Sequence, residues 1–375
     1  MKKIIGNFSL GLWLGAFFLS LALAQNTVQA ADKLDNVKPA LLKTSDYNEY
    51  WLQYFLFEDG SYLTTQFSIV NFPFNKHKSI MLSTLITPDG KRYVIQNGRS
   101  RDDWRFDPDK FNITFSRDIN HNIKGTFPDY SLTVHNTMAE AELTLKSTLP
   151  PLEHEDFTIK KGKRMATSIY APHFDAKGWW RLGEEAGARP NADWNDFGKG
   201  EGFGLHVLMD GPIDKLMSSW LRVFGIKNGS SEKIILSSIE RPNGKLDNIL
   251  ALHLPGSRLI TFDEIDVDVL EEEKDGKKTF PKSLYIKGKN GDDTLEGTIT
   301  FTKKLQHFRL KDHVSALERL ILTTFPTFTR YHYKAEYNLY YTSAKGRQNI
   351  VGKAMSEYTQ VDSAQNPKKK KRRKR

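Results

Sequence analysis

The stretch from Gly200 to Phe224, GEGFGLHVLMDGPIDKLMSSWLRVF, holds the densest set of residues in the chain able to meet a ligand. Gly200, Gly202 and Gly204 allow backbone or ligand to approach closely. His206 and Asp210 are the polar groups of an otherwise apolar run, and Trp220 and Phe224 close it. Four apart on a strand, His206 and Asp210 share a face at a separation of ~13 Å, too far for a direct acid–base couple on a straight strand. His206 therefore reads as the polar contact for a ligand head group, or as a hydrogen-bonded core histidine on a glycine-kinked barrel strand.

Aromatic residues supply the second signal. Trp179 and Trp180 fall in HFDAKGWWRLGEE, and Trp194 in NADWNDFGKGEG. Paired indoles suit the mouth of an apolar cavity, where an amphipathic ring touches a ligand and still reaches water, and they equally suit rim packing between domains. With Trp51, Trp104 and Trp220 they are the expected cavity lining.

Other chemistries find no support. The ten histidines are scattered, without His-Glu-x-x-His spacing, and the absence of cysteine excludes a thiolate nucleophile and disulfides. There is no Gly-x-Ser-x-Gly elbow, and Gly198 to Gly202 lack the Lys-Ser/Thr of a phosphate loop. No metal and no cofactor is expected.

The elements that must position these residues are strands. Trp51, Gln53, Phe55 and Phe57 alternate onto one face, Asp59-Gly60 turns, and Leu63, Thr65, Phe67 and Ile69 return. A second hairpin runs from Ile80 to Ile86, turns at Pro88-Asp89-Gly90 and returns through Tyr93 to Gln96. Strands are also predicted at Phe111 to Phe115, Ser131 to Asn136 and Ala139 to Leu145. The two prolines in Ser147 to His154 mark a boundary, after which strands are predicted at Gly202 to Met209, Lys233 to Ser238, Leu259 to Leu270, Ser283 to Gly288, Leu295 to Thr302 and Tyr331 to Tyr341. Asp312 to Thr324 aligns Val314, Leu317, Leu320 and Ile321 as a short amphipathic helix capped by Asp312. The expected fold is all-β: two tandem antiparallel barrels, residues 32–155 and 156–345, each able to hold an apolar ligand.

Both ends have their own character. Lys2 and Lys3 precede the apolar run Leu10 to Ala24, with small residues at Ala22, Ala24 and Ala30, so residues 1–30 read as a cleavable export signal to the periplasm or exterior. The tail, residues 346–375, is read as disordered and ends in eight cations: Lys368, Lys369, Lys370, Lys371, Arg372, Arg373, Lys374 and Arg375. These cations and the two N-terminal lysines account for the whole net charge of +10, leaving residues 31–367 neutral. A neutral body argues against a folded nucleic-acid-binding surface, and the tail suits peripheral contact with an anionic membrane.

The segment Gly202, Gly204, His206, Gly211-Pro212, Trp220 and Phe224 resembles the motif of the survival factor one proteins of yeast and their AttH-type lipocalin-like relatives. Tyr50-Trp51, Asp59-Gly60 and Thr65-Gln66 resemble that family's opening, Trp104 to Phe106 its first-domain strands, and Pro281 to Gly288 a late strand of its second domain. The helix before Tyr331 to Tyr341 resembles its C-terminal helix and Tyr-rich strand. The resemblance implies tandem lipocalin-like domains and a hydrophobic lipid ligand, sphingolipid-like or isoprenoid-like, that the protein binds or carries. It also opens an enzymatic alternative, because the superfamily includes carotenoid hydratases and related isomerases and cyclases. The hydratases carry an Asp-His-Asn-Trp motif on the corresponding strand, and this sequence has no Asp-His pair there.

Overall fold

The computed structural model describes residues 38–362 apart from 73–74, 108, 110, 116–120, 154–156, 160–162, 190–191, 227–231, 257–258, 277, 310–311 and 313–325. The expected signal segment, most of the expected helix at Asp312 to Thr324 and the basic tail lie outside the described residues. The chain from Ala40 onward forms one compact unit, and its described residues are nearly all strand.

The first sheet starts with four strands joined by hairpins, β1 (Tyr47–Phe57), β2 (Tyr62–Phe72), β3 (Asn75–Ile86) and β4 (Arg92–Arg99). The predicted turns form here. Gly60 and Gly90 have φ of 89° and 81°, and the Asp59 carboxylate accepts from the Ser61 amide at 2.8 Å. A second run follows: β5 (Trp104–Asp107), β6 (Asn112–Phe115), β7 (His121–Thr126), β8 (Asp129–His135) and β9 (Ala139–Ser147). Short β10 (Leu152–Glu153) and β11 (Phe157–Ile159) flank β12 (Lys163–Leu182), and β13 (Asn195–Asp210) completes the sheet. Its order is β4-β3-β2-β1-β13-β12-β9-β8-β7-β6-β5, with every pairing antiparallel.

The second sheet contains β14 (Ser219–Ile226), β15 (Lys233–Glu240), β16 (Leu246–His253), β17 (Leu259–Phe262), β18 (Glu264–Asp275), β19 (Lys278–Asn290), β20 (Asp293–Arg309), β21 (Thr327–Ser343) and β22 (Gly346–Asp362). Its order is β17-β16-β15-β14-β22-β21-β20-β19-β18. The two sheets repeat one topology: three strands meander away from the first, and the last strand returns to pair with it. β1 with β13 and β14 with β22 are equivalent pairs.

This repeat corrects two expected boundaries. The Gly202 to Met209 strand belongs to the first sheet, because Phe55 to Tyr47 of β1 pairs with Gly202 to Asp210 in unbroken register. The chain crosses between sheets at residues 211–218, through the short helix Ile213–Leu216, rather than at Ser147 to His154. Residues 346–362, read as part of a disordered tail, form β22 in the middle of the second sheet. The first sheet is also less closed than a complete barrel. Among the described residues no ladder joins its ends β4 and β5, and Trp104 of β5 instead donates its indole N–H to the His77 carbonyl of β3 at 3.0 Å.

The central strands are buried on both faces, which explains why β13 reads as continuously apolar from Gly202 to Met209. One face of β1 turns Trp51 and Phe55 into the first sheet's interior, with Phe67, Trp104 and Phe115. The other face sends Tyr50, Leu52 and Tyr54 to the second sheet, where they join Phe203, Leu205 and Val207 of β13 against Trp220, Phe224, Ile235 and Met355. Phe203 and Phe224 stack with centroids 3.7 Å apart at this seam. Each such fully buried aromatic contributes about 2–3 kcal/mol.

Candidate functional site

The seam between the sheets contains charge. Period-two alternation places Arg222 on the same face of β14 as Trp220 and Phe224, inside the apolar seam and wholly buried. Directly opposite on β22 is Glu357, also buried, and Arg222 Nη2 donates to Glu357 Oε1. The Thr359 hydroxyl donates to the same oxygen at 2.8 Å. The neighbouring strand β21 supplies Arg330, with Nε 3.4 Å from Glu357 Oε1, and His332, with Nε2 3.6 Å from Oε2.

Groups of the first sheet complete the cluster. The Tyr62 hydroxyl is 2.8 Å from His332 Nδ1, and Gln66 Oε1 accepts from Arg330 Nη1 at 2.8 Å. Gln306 of β20 donates to the Thr84 hydroxyl at 3.2 Å. The Tyr54 ring meets His332 edge-on, with centroids 4.8 Å apart. With Tyr62 donating to Nδ1, the proton of neutral His332 rests on Nε2 and faces Glu357. Tyr62, His332 and Glu357 then form a line of hydroxyl, imidazole and carboxylate.

A small, half-open crevice lies beside His332, with Leu52, Tyr54, Leu82, Gln306, Phe308 and Arg330 among its other lining residues. Its electrostatics follow from burial. His332 is held well below its ordinary value by burial and by the guanidiniums of Arg330, Arg222 and Arg92, so it is neutral. Burial lowers Arg222 to about 9, which leaves it protonated at neutral pH, and pushes Glu357 and Tyr62 up. Several buried polar atoms have no hydrogen-bond partner: Arg222 Nε and Nη1, Arg330 Nε, His332 Nε2, Glu357 Oε2, Tyr54 Oη and Gln306 Oε1. Of these residues Tyr54, Gln306, Arg330 and His332 line the crevice.

The residues singled out in the sequence distribute elsewhere. His206 is buried in the first sheet, with Nε2 2.7 Å from Glu49 Oε1 and its ring stacked on Trp51 at 4.6 Å. Tyr47 also donates to Glu49. Asp210 accepts from the Thr44 hydroxyl at 2.6 Å, so it and His206 have different partners, as their spacing requires. Gly202 and Gly204 serve packing: a Cβ would fall 2.2 Å from the Tyr54 carbonyl at the first and 2.4 Å from the Tyr170 ring at the second. Trp104 fills the same interior as Trp51.

Adjacent strand residues point to opposite faces, so Trp179 and Trp180 cannot share one cavity rim. Trp179 is 53% exposed, whereas Trp180 is buried near Phe197. Trp194 lies under the Arg181 guanidinium. Trp220 and Phe224 alone reach the seam beside the polar cluster: Trp220 donates to Ser237 Oγ at 2.8 Å and carries the Arg222 guanidinium 4.1 Å from its centroid. Arg222, Arg330, His332, Glu357, Tyr62 and Gln306 were not anticipated, although an arginine inside the apolar WLRVF run was a visible signal.

A second polar group departs from the expectation of no metal-ligating cluster. His173, Asp175 and Glu201 bring one ligand atom each within 4.8 Å of one another, beside a register shift in β12. Both ring nitrogens of His173 have hydrogen-bond partners there, the Thr148 hydroxyl at 2.7 Å and Glu201 at 2.9 Å.

No family model and no curated protein matches the chain by sequence. Solved structures do match. Kievitone hydratase from Nectria haematococca superimposes with TM-score 0.54 at 9% identity, covering 87% of this chain and 92% of its own. An AttH-type protein of Nitrosomonas europaea gives 0.54 at 12% identity, with 86% and 97% covered. CghA, solved with Sch210972, gives 0.56 at 9% identity, with 86% and 90% covered. At these identities the likeness is one of fold, and the fold is that of the AttH-type lipocalin-like proteins.

Proposed function

We propose that the chain is an enzyme acting on a hydrophobic substrate at the seam between its sheets, by hydratase, isomerase or cyclase chemistry. The observation that carries this reading is the line Tyr62, His332, Glu357, whose middle member His332 lines a crevice shared by polar residues and by Leu52, Leu82 and Phe308. A buried carboxyl with a raised pKa can supply a proton, and the neutral His332 imidazole can accept one from an attacking water at Nδ1 when the Tyr62 hydroxyl turns to another partner. In a hydration the proton goes to one alkene carbon and hydroxide to the other, so the protein ends as it began. Arg330 and Gln306 are placed to polarise a substrate carbonyl.

Two further facts favour this over passive lipid carriage. A neighbour of the same fold is named for a hydration. The first sheet's interior is filled by its own rings, with Tyr170 packed over Gly204 and Trp51 over His206. Incubation with a panel of prenylated phenols and polyenes in heavy-oxygen water, read by mass spectrometry, tests the proposal. Conversion is expected, falling about 10²–10⁴-fold in His332→Gln. A lipid that copurifies unchanged, with no conversion of any panel member, would establish carriage instead.

Export to the periplasm or exterior, and peripheral contact of Lys368 to Arg375 with anionic membrane, belong to the same proposal and rest on the sequence. Deleting those eight residues is expected to abolish sedimentation with anionic vesicles. Undiminished binding by the truncated chain would move the contact elsewhere.

A further inference from the structure

The crevice is not electrically balanced. Two guanidiniums, Arg222 and Arg330, share one carboxylate, Glu357. The other titratable groups facing them are Tyr50 and Tyr62 from the first sheet, both pushed up by burial, and His332, held neutral. Arg92 of β4 adds a further positive field at His332. Even with Glu357 fully ionised, the buried cluster carries one more positive than negative charge. An uncompensated buried cation costs several kcal/mol, and nothing among the described residues supplies the missing anion.

The orphaned atoms point the same way. Arg222 Nε and Nη1 and Tyr54 Oη are donors without acceptors, Arg330 Nε meets Glu357 only as an ion pair at 3.4 Å without hydrogen-bond geometry, and Arg330, Tyr54 and His332 line the crevice itself. Donors outnumber acceptors among the unpartnered groups, as they do in sites awaiting an acceptor-only ligand. The lining divides by chemistry, with Arg330, Gln66, Gln306 and His332 polar and Leu52, Leu82 and Phe308 apolar.

We propose that this seam takes a hydrophobic molecule bearing an acidic group, a carboxylate or an ionised enol, with its anionic oxygens on Arg330 and its carbon skeleton along Leu52, Leu82 and Phe308. The inference rests on the catalytic reading above for the place of the substrate, and adds its charge. The acidic group completes the charge of the cluster, and its oxygens give the guanidinium a bidentate partner.

The test uses cis-parinaric acid, a fluorescent polyene carboxylate, against its methyl ester, which keeps the skeleton and loses the charge. The full-length protein is expected to bind the acid at least about tenfold more tightly than the ester, the worth of one charge-assisted hydrogen-bonding pair. Arg330→Met is expected to erase that preference while still binding the ester, which also reports an intact fold. Arg330→Lys is expected to retain part of it. Equal binding of acid and ester by the unaltered protein overturns the inference, as does an acid preference that survives in Arg330→Met. An Arg330-dependent acid preference in a protein that converts no substrate would uphold the charge assignment and overturn only the catalytic reading.

Discussion

Arg222 and Glu357 lie directly opposite each other on neighbouring strands, 135 residues apart in the chain and both buried in an apolar seam. Neither residue has a reason to be there on packing grounds alone. A buried ion pair rarely outperforms well-packed apolar residues of the same volume, so its presence in the seam is evidence of use.

That argument gives the first prediction. Glu357→Leu leaves Arg222 and Arg330 without their carboxylate and is expected to destabilise by about 3–5 kcal/mol. The double replacement Arg222→Met with Glu357→Leu is expected to recover most of that loss and to remain inactive. Chemical denaturation of both variants measures the difference. Equal destabilisation of single and double variants would mean that the pair is not coupled.

His206 leads to a different expectation from the one its sequence context invited. Its Nε2 contacts Glu49, which is buried and also receives the Tyr47 hydroxyl and the Ala40 amide at 2.9 Å. Replacing His206 by Leu removes one partner of a buried carboxylate and is expected to cost about 3 kcal/mol, more than its volume change alone. The variant is expected to keep its preference between parinaric acid and its ester, because the seam is on the other side of β1. A lost preference in folded His206→Leu protein would place the ligand in the first sheet's interior.

The strands were legible in the sequence because period-two alternation and Gly-containing turns are local signals, as at Asp59-Gly60 and Pro88-Asp89-Gly90. The sheet to which β13 belongs was not legible, since the decisive contact is with Tyr47 to Phe57, some 150 residues earlier. β22 escaped notice because its leading residues, Gly346 to Asn349, are all exposed and read as a polar tail. The seam cluster was hidden for a related reason: Arg222, Arg330, His332 and Glu357 come from three strands that only the sheet order makes neighbours. The glycines at 202 and 204 were correctly read as sites of close approach, but what approaches is protein, the Tyr54 carbonyl and the Tyr170 ring.

Gly204 therefore tests the packing of the first sheet. A Cβ there would lie 2.4 Å from the Tyr170 ring, whose hydroxyl is held by Gln53 at 2.9 Å and cannot simply swing away. Gly204→Ala is expected to destabilise by about 1–3 kcal/mol through overpacking. Gly98→Ala, where the nearest atom is a flexible lysine carbon 3.5 Å away, is expected to stay within about 0.5 kcal/mol. Thermal melts of the two variants side by side decide it, and indistinguishable midpoints would mean that Tyr170 has room to move.

His332 makes the fold sensitive to acid in a direction that can be worked out. Its folded pKa lies well below its ordinary value of 6.5, because burial and the guanidiniums of Arg330, Arg222 and Arg92 disfavour imidazolium. Below 6.5 the unfolded chain binds a proton at this position that the folded chain does not, so stability is present above pH 6.5 and falls as pH drops through it, by up to ~1.4 kcal/mol per unit. Glu357 acts in the opposite sense, since its raised pKa makes the folded state hold a proton that the unfolded state has released, and His253 and His307 are lowered in the same sense as His332. These three groups are common to the unaltered protein and His332→Gln, so the comparison isolates the imidazole. The urea midpoint of the unaltered protein is expected to fall more steeply with acidification below pH 6.5 than that of His332→Gln, with the two curves running parallel above it. Parallel curves throughout would mean that His332 takes up its proton in the folded seam as readily as in water.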